Sequence, residues 1–250
     1  MANLIALNSQ THRGLRVVPR PNRESAQLNV VSVIPREFLR LLAHYPLFFT
    51  KSTESGRFEP AALLGFERGE NLYFVDDRWD VDYVPLQIQR HPFSLIPRGA
   101  TAAGVPAALD VAIDMDSPQI QTQDGERLFL DDGRPSKFLE NLTSMLQALV
   151  SGSSEAYAFT GRLAELGLIE SVQLNVEFVD RTEAKLQGLY WIAEAALEKL
   201  PAAQLAELRD RKFLEWMYFQ MASLAHVSVL VARKNRLISG VTAAGRPKGA

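Results

Sequence analysis

The chain has 250 residues, 47% of them hydrophobic and 22% charged, with no cysteine and a formal net charge of −2. Such a length and apolar fraction suffice to bury a sizeable core, as one large domain or two small ones. The missing cysteine excludes a disulfide framework, a thiolate metal site and a cysteine nucleophile, and the near-balanced charge gives no basis for expecting nucleic acid as the main partner.

The first residues, MANLIALNSQTHRG, lack the basic start and cleavage site of a secretory signal. No segment reaches the roughly 20 apolar residues that span a bilayer, so a cytoplasmic protein with no membrane span is expected. Arg13, Arg16, Arg20 and Arg23 precede the first acid, Glu24, and predict a solvated basic arm over residues 1–27. Residues 28–34, LNVVSVI, are β-branched and predict a strand. PREFLRLLAH follows with Phe38, Leu41, Leu42 and Tyr45 at helical spacing, Pro35 in its first turn and Pro46 as its stop. LFFTK and AALLGF read as strands on either side of the polar loop STESGRF.

GENLYFV, residues 69–75, opens like the recognition sequence of a tag-removing protease. That protease needs Gln after the Phe, and Val75 stands there, so the stretch is native; NLYFV predicts a strand whose aromatics suit a half-buried sheet. Residues 85–90 predict one helical turn, FSLIP a strand, and ALDVAIDM a period-two strand through Leu109, Val111, Ile113 and Met115. PQIQTQDGERLFL holds Asp124-Gly125 between strand-like flanks, a hairpin signal. SKFLENLTSMLQALV predicts a helix with Phe138, Leu142, Met145, Leu146 and Leu149 on one face. SGSS is expected to break it, with Ser154 capping a second helix that stops at Gly167.

Val172, Leu174, Val176 and Phe178 alternate in SVQLNVEFVD, and LQGLYWI is expected to return beside it. Helices fill the rest to about 235, interrupted at Pro201, the last carrying Phe213, Trp216, Met217, Gln220, Leu224 and Val227 on a broad apolar face. Arg233, Lys234, Arg236, Arg246 and Lys248 form a second basic stretch that reads as solvated, and GVTAAGRPKGA has nothing to bury. The sum is an α+β fold, mainly antiparallel sheet with packed helices and a helical C-terminal third. It divides into the arm 1–27, a single domain 28–235 open to subdivision near 117, and a disordered basic tail 236–250.

Linear motifs for catalysis are missing: there is no GxSxG elbow, SxxK or HExxH, and GRLAELG is not a phosphate loop. The densest polar group is Asp76, Asp77, Asp80 and Asp82, interleaved with Trp79 and Tyr83 and preceded by Tyr73. Closely spaced carboxylates suit a hard cation, but the glycine and distal glutamate of a calcium loop are not in place. A solvated loop with aromatic plugs is the plain reading, and a sticky face for a peptide the functional one. His44 and His91 lie near prolines at helix ends, where an imidazole can bond the last carbonyls; brought together with the aspartates, they could instead hold a metal.

HYPLFFTK, ALLGFERGENLYFVDDRWDVDYVP, RHPFSLIP, LGLIESVQLNVEF with LQGLYWI, and LEWMYFQMASLAHVSVL, in that order, resemble the bacterial SapC family over roughly residues 28–232. The resemblance carries no established catalytic residues. It implies an accessory of substrate uptake or peptide tailoring, with a surface-layer component as the other role the family name suggests. The expectation is therefore a non-enzymatic binding protein without a cofactor, in which Tyr73, Asp76, Asp77, Trp79, Asp80, Asp82 and Tyr83 meet a protein or peptide partner. A metal-dependent enzyme built on His44, His91 and the Asp76–Asp82 cluster is the alternative.

Overall fold

The computed structural model describes residues 3–18, 23–98 and 109–240. Backbone proximity divides the chain into two compact units, Met1–Asn22 with Leu86–Ser151 and Arg23–Pro85 with Gly152–Ala250. Strands β1 (Leu4–Ala6), β2 (Arg16–Val17) and β3 (Val30–Ser32) come first. A 3-10 turn at Pro35–Glu37 runs into α1 (Phe38–Leu41), followed by β4 (Leu47–Lys51), β5 (Phe58–Leu63), β6 (Phe74–Val75) and β7 (Arg78–Trp79). Next are α2 (Leu86–Gln89), β8 (Phe93–Pro97), β9 (Leu109–Asp114), β10 (Ile120–Gln121), β11 (Glu126–Arg127) and α3 (Lys137–Glu165). The chain then forms β12 (Ile169–Glu177), β13 (Glu183–Ile192), α4 (Glu194–Leu197), α5 (Ala202–Asp210), α6 (Phe213–Ser223) and α7 (His226–Ile238). All the strand pairings are antiparallel and the C-terminal segment is helical, so the fold is α+β as its periodicities indicate.

The first unit holds two small sheets, ordered β1-β9-β8 and β10-β2-β11. The N-terminal arm is thus not free: β1 pairs β9 and β2 pairs β10 and β11. The Asp124-Gly125 hairpin is corrected, because β10 and β11 do not pair with each other but flank β2. Gly125, at φ 101°, is needed for close approach rather than for a tight turn; a Cβ there would stand 2.5 Å from the Val17 carbonyl oxygen. Arg16 ties the same corner, donating from Nη1 to the Gly125 carbonyl at 2.8 Å. Val17, Phe93, Ile113, Leu128, Leu142 and Leu146 meet in this unit's core.

The second unit is built on a five-stranded sheet ordered β12-β13-β4-β5-β3. Phe159 of α3 gathers the helices over it, with ring centroids 6.4 Å from Phe38, 6.0 Å from Phe49, 5.3 Å from Phe213 and 5.4 Å from Trp216. β13 pairs β4 only at Leu189 and Tyr190, so the two strands part beyond that point. Gln220, expected merely to share an apolar face, fills the gap. Its Nε2 donates to the Leu47 carbonyl at 2.8 Å and its Oε1 accepts from the Ile192 N–H at 3.3 Å. Ser223 Oγ accepts from the Leu47 N–H at 2.9 Å and donates to the Gln220 carbonyl. Both side chains are fully buried, and their bonds replace the ladder that the splayed strands lack. The last helix also divides at Leu224–Ala225, giving α6 and α7.

The break expected at SGSS is absent: α3 runs unbroken across it. Gly152 is there for packing. A Cβ would lie 2.5 Å from Ile34 Cδ1 and 2.9 Å from Ile34 Cβ, so only glycine lets this buried isoleucine seat against the helix. Gly161, on the same helix, meets nothing within 4 Å. Alanine should therefore have opposite effects at the two sites. Gly161→Ala is expected to gain up to about 1 kcal/mol from helix propensity, and Gly152→Ala to lose about 1–3 kcal/mol to overpacking. Urea unfolding of the two variants checks this, and a shared sign would refute the packing role of Gly152.

Candidate functional site

The aromatic-acidic segment is fixed from its base upward. Gly65 lies under the Glu70 carbonyl, where a Cβ would stand 2.3 Å from the oxygen, and Glu70 Oε2 accepts from the Phe66 N–H at 2.8 Å. The strand expected over NLYFV is shorter, because Asn71 turns the chain before it. Its Nδ2 donates to the Ser25 carbonyl at 2.7 Å and its Oδ1 accepts from the Tyr73 N–H at 3.0 Å, leaving Phe74–Val75 as the strand.

Tyr73 is fully buried, which corrects its expected place on the surface. Its hydroxyl donates to the His44 carbonyl at 2.9 Å, and its ring lies 4.6 Å from that of Tyr45. Tyr45 in turn donates to the Tyr83 carbonyl at 2.7 Å, and Tyr83 to Oε1 of the buried Glu37 at 2.9 Å. Arg40 stands over the half-buried Tyr83 ring. Trp79 is also half-buried, edge-on to Phe74 at 6.2 Å, with its Nε1 sealed and without a partner.

The aspartates fall into different roles. Asp76 and Asp77 are exposed and form the two-residue turn between β6 and β7, with φ 51° and 59°. Two successive positive φ values in a two-residue hairpin make a type I′ turn, which Asn-Gly would form with far less strain. Asp82 is exposed. Asp80 is tied to α7: Arg233 Nη1 reaches its Oδ2 at 2.9 Å and Nη2 its carbonyl at 3.1 Å, while the guanidinium lies 4.7 Å from the Tyr73 ring centre. Lys234 bridges Glu67 at 2.9 Å and Glu70 at 2.5 Å.

The solvated basic stretch is therefore corrected at these two residues, whose side chains are only 16% and 14% exposed. Arg20, Arg246 and Lys248 lie outside the described residues, as does the expected disordered tail from 241 on. Glu37, Arg233 and Lys234 escaped the sequence reading, since their partners are 46 and more than 150 residues away.

His44 and His91 belong to different units. Among the described residues no group of three or more His, Asp or Glu could hold a metal ion, so the metal alternative has no donor set to stand on. No helix among the described residues is long and apolar enough to cross a membrane. A family model of SapC matches residues 7–230. The chain belongs to the SapC family. No curated protein and no solved structure matches it.

Burial raises the Tyr45, Tyr73 and Tyr83 hydroxyls above the ordinary tyrosine value of 10.0, and Glu37 adds to the rise at Tyr83. At Lys234 burial acts downward, but the hydrogen bonds to Glu70 and Glu67 outweigh it and hold the ammonium above the ordinary 10.5. All four groups bind their protons more tightly folded than unfolded, so their contribution is intact below the unfolded values and lost as pH climbs through the folded ones. Unfolding free energy should stay level on this account up to about pH 9–10 and fall beyond it, with a shallower fall in Tyr83→Phe. Urea titrations across that range test it; the same alkaline slope in both proteins would refute Tyr83's share.

Proposed function

We propose that this SapC-family chain is a non-enzymatic binding or accessory protein of the cytoplasm that uses the β6–β7 hairpin to hold a protein or peptide partner, in support of substrate uptake or peptide tailoring. The observation that carries the reading is the backbone of the hairpin tip, where adjacent aspartates, both exposed, are held left-handed. Each such residue costs roughly 1–2 kcal/mol, and strain of this kind persists where the surroundings over-determine it, commonly at recognition sites. Here the surroundings do so: Tyr73, Tyr83 and Asp80 fasten the base of the hairpin. They support the surface, and Asp76, Asp77, Trp79 and Asp82 form it. Three aspartates around a half-exposed indole suit a basic segment of a partner, with the ring giving apolar area and the carboxylates steering approach.

The double change Asp76→Asn with Asp77→Gly separates structure from function. It supplies the favoured type I′ sequence, so the fold should gain about 1 kcal/mol or more. It also removes both carboxylates, so partners retained from native extract, quantified by mass spectrometry against wild type, should fall several-fold. Undiminished retention by the stabilised variant would be fatal to the proposal.

A further inference from the structure

Arg90 opens the RHPFSLIP stretch at the corner between α2 and β8. Its Nη1 donates to the Phe93 carbonyl at 2.9 Å and to Ser94 Oγ at 2.6 Å. Those two bonds orient the guanidinium and leave its other fork uncommitted. Nε is sealed from solvent without a partner, and Nη2 has none among the described residues. Nor is there a counter-charge. Burial alone shifts this guanidinium, downward, with no neighbouring charge acting on it. Residues 1–2, 19–22, 99–108 and 241–250, which lie outside the described set, contain no Asp or Glu. Arg98, at the far end of β8, shows the contrast: it is paired with Asp110 at 2.5 Å.

A half-buried cation with an orphaned donor and no counter-ion is unfavourable by itself. The Nε/Nη2 fork is shaped to take both oxygens of a carboxylate in parallel charge-assisted bonds. Ser94 adds to this, because its hydroxyl accepts from Nη1 and keeps its own proton to donate. The geometry points to an oxyanion site at Arg90 and Ser94 that takes a small monocarboxylate. A phosphate dianion fits less well, since no second cation acts there to balance its extra charge. The inference does not rest on the hairpin reading above.

The test uses the full-length chain labelled with nitrogen-15, titrated with sodium acetate at ionic strength held constant by sodium chloride. A saturable shift of the Arg90 Nε–H signal and of the Phe93 and Ser94 amides is expected, with a weaker response to inorganic phosphate. Arg90→Lys keeps the charge but loses the fork, and should weaken acetate binding about tenfold or more. Ser94→Ala should weaken it several-fold, and it decides the matter if Arg90→Lys fails to fold. A non-saturating shift, an equal response to chloride, or unchanged acetate affinity in Ser94→Ala would overturn the site.

Discussion

Three consecutive side chains of α7 hold three separate stretches of the second unit. Arg233 grips Asp80 and covers the Tyr73 ring, Lys234 joins Glu67 to Glu70, and Asn235 Oδ1 accepts from the Val179 N–H at 3.0 Å. Exposed ion pairs contribute little singly. These differ in that both cations are largely covered and each also faces an aromatic ring, Tyr73 or Phe178. The constraint matters because the segment they fasten has almost no ladder of its own. A pair of two-residue strands is far below what stands alone in water, so tertiary anchoring must hold it.

The anchoring is redundant by design of the chain. The tyrosine relay from Tyr73 through Tyr45 to Tyr83 and Glu37 ties the same segment to α1 and the turn before it. Asn71 ties it to Ser25. A hairpin held from that many directions can keep a left-handed Asp-Asp tip that a loosely attached loop would relax. Gln220 and Ser223 follow the same logic elsewhere in the unit: where β13 and β4 diverge, buried side-chain amide and hydroxyl groups take over backbone bonds that the sheet cannot make.

What the sequence disclosed is what depends on local period and punctuation. The alternation in β9, β12 and β13 and the helical stripe of Phe138, Leu142 and Leu146 were readable because burial on one face imposes them. Gly167 was readable as a helix stop because its left-handed φ of 67° is a local requirement. Gly152 carries the same letter but answers to Ile34, more than a hundred residues earlier, and no local rule distinguishes a glycine that ends a helix from one that admits a neighbour. The type I′ turn was hidden too, since Asp-Asp is not among the pairs that announce it. The pairing of β10 and β11 with β2 rather than with each other required knowledge of where residues 16–17 lie.

The same divide governs the candidate site. Composition marked the segment from Tyr73 to Tyr83, yet it could not say which of its rings and acids face inward. With Tyr73 buried and Asp80 neutralised by Arg233, the outer surface keeps one half-covered indole and the carboxylates of Asp76, Asp77 and Asp82. On the proposed reading such a surface has little apolar area to make binding tight by burial alone, since strong hot spots are fully desolvated aromatic or arginine anchors. Its recognition would rest on charge, which governs the rate of encounter and the rejection of wrong partners more than affinity. Charge contacts at an exposed rim weaken as salt rises. The partner this geometry favours is therefore one that is captured quickly and released readily, the behaviour of an accessory that hands its cargo on.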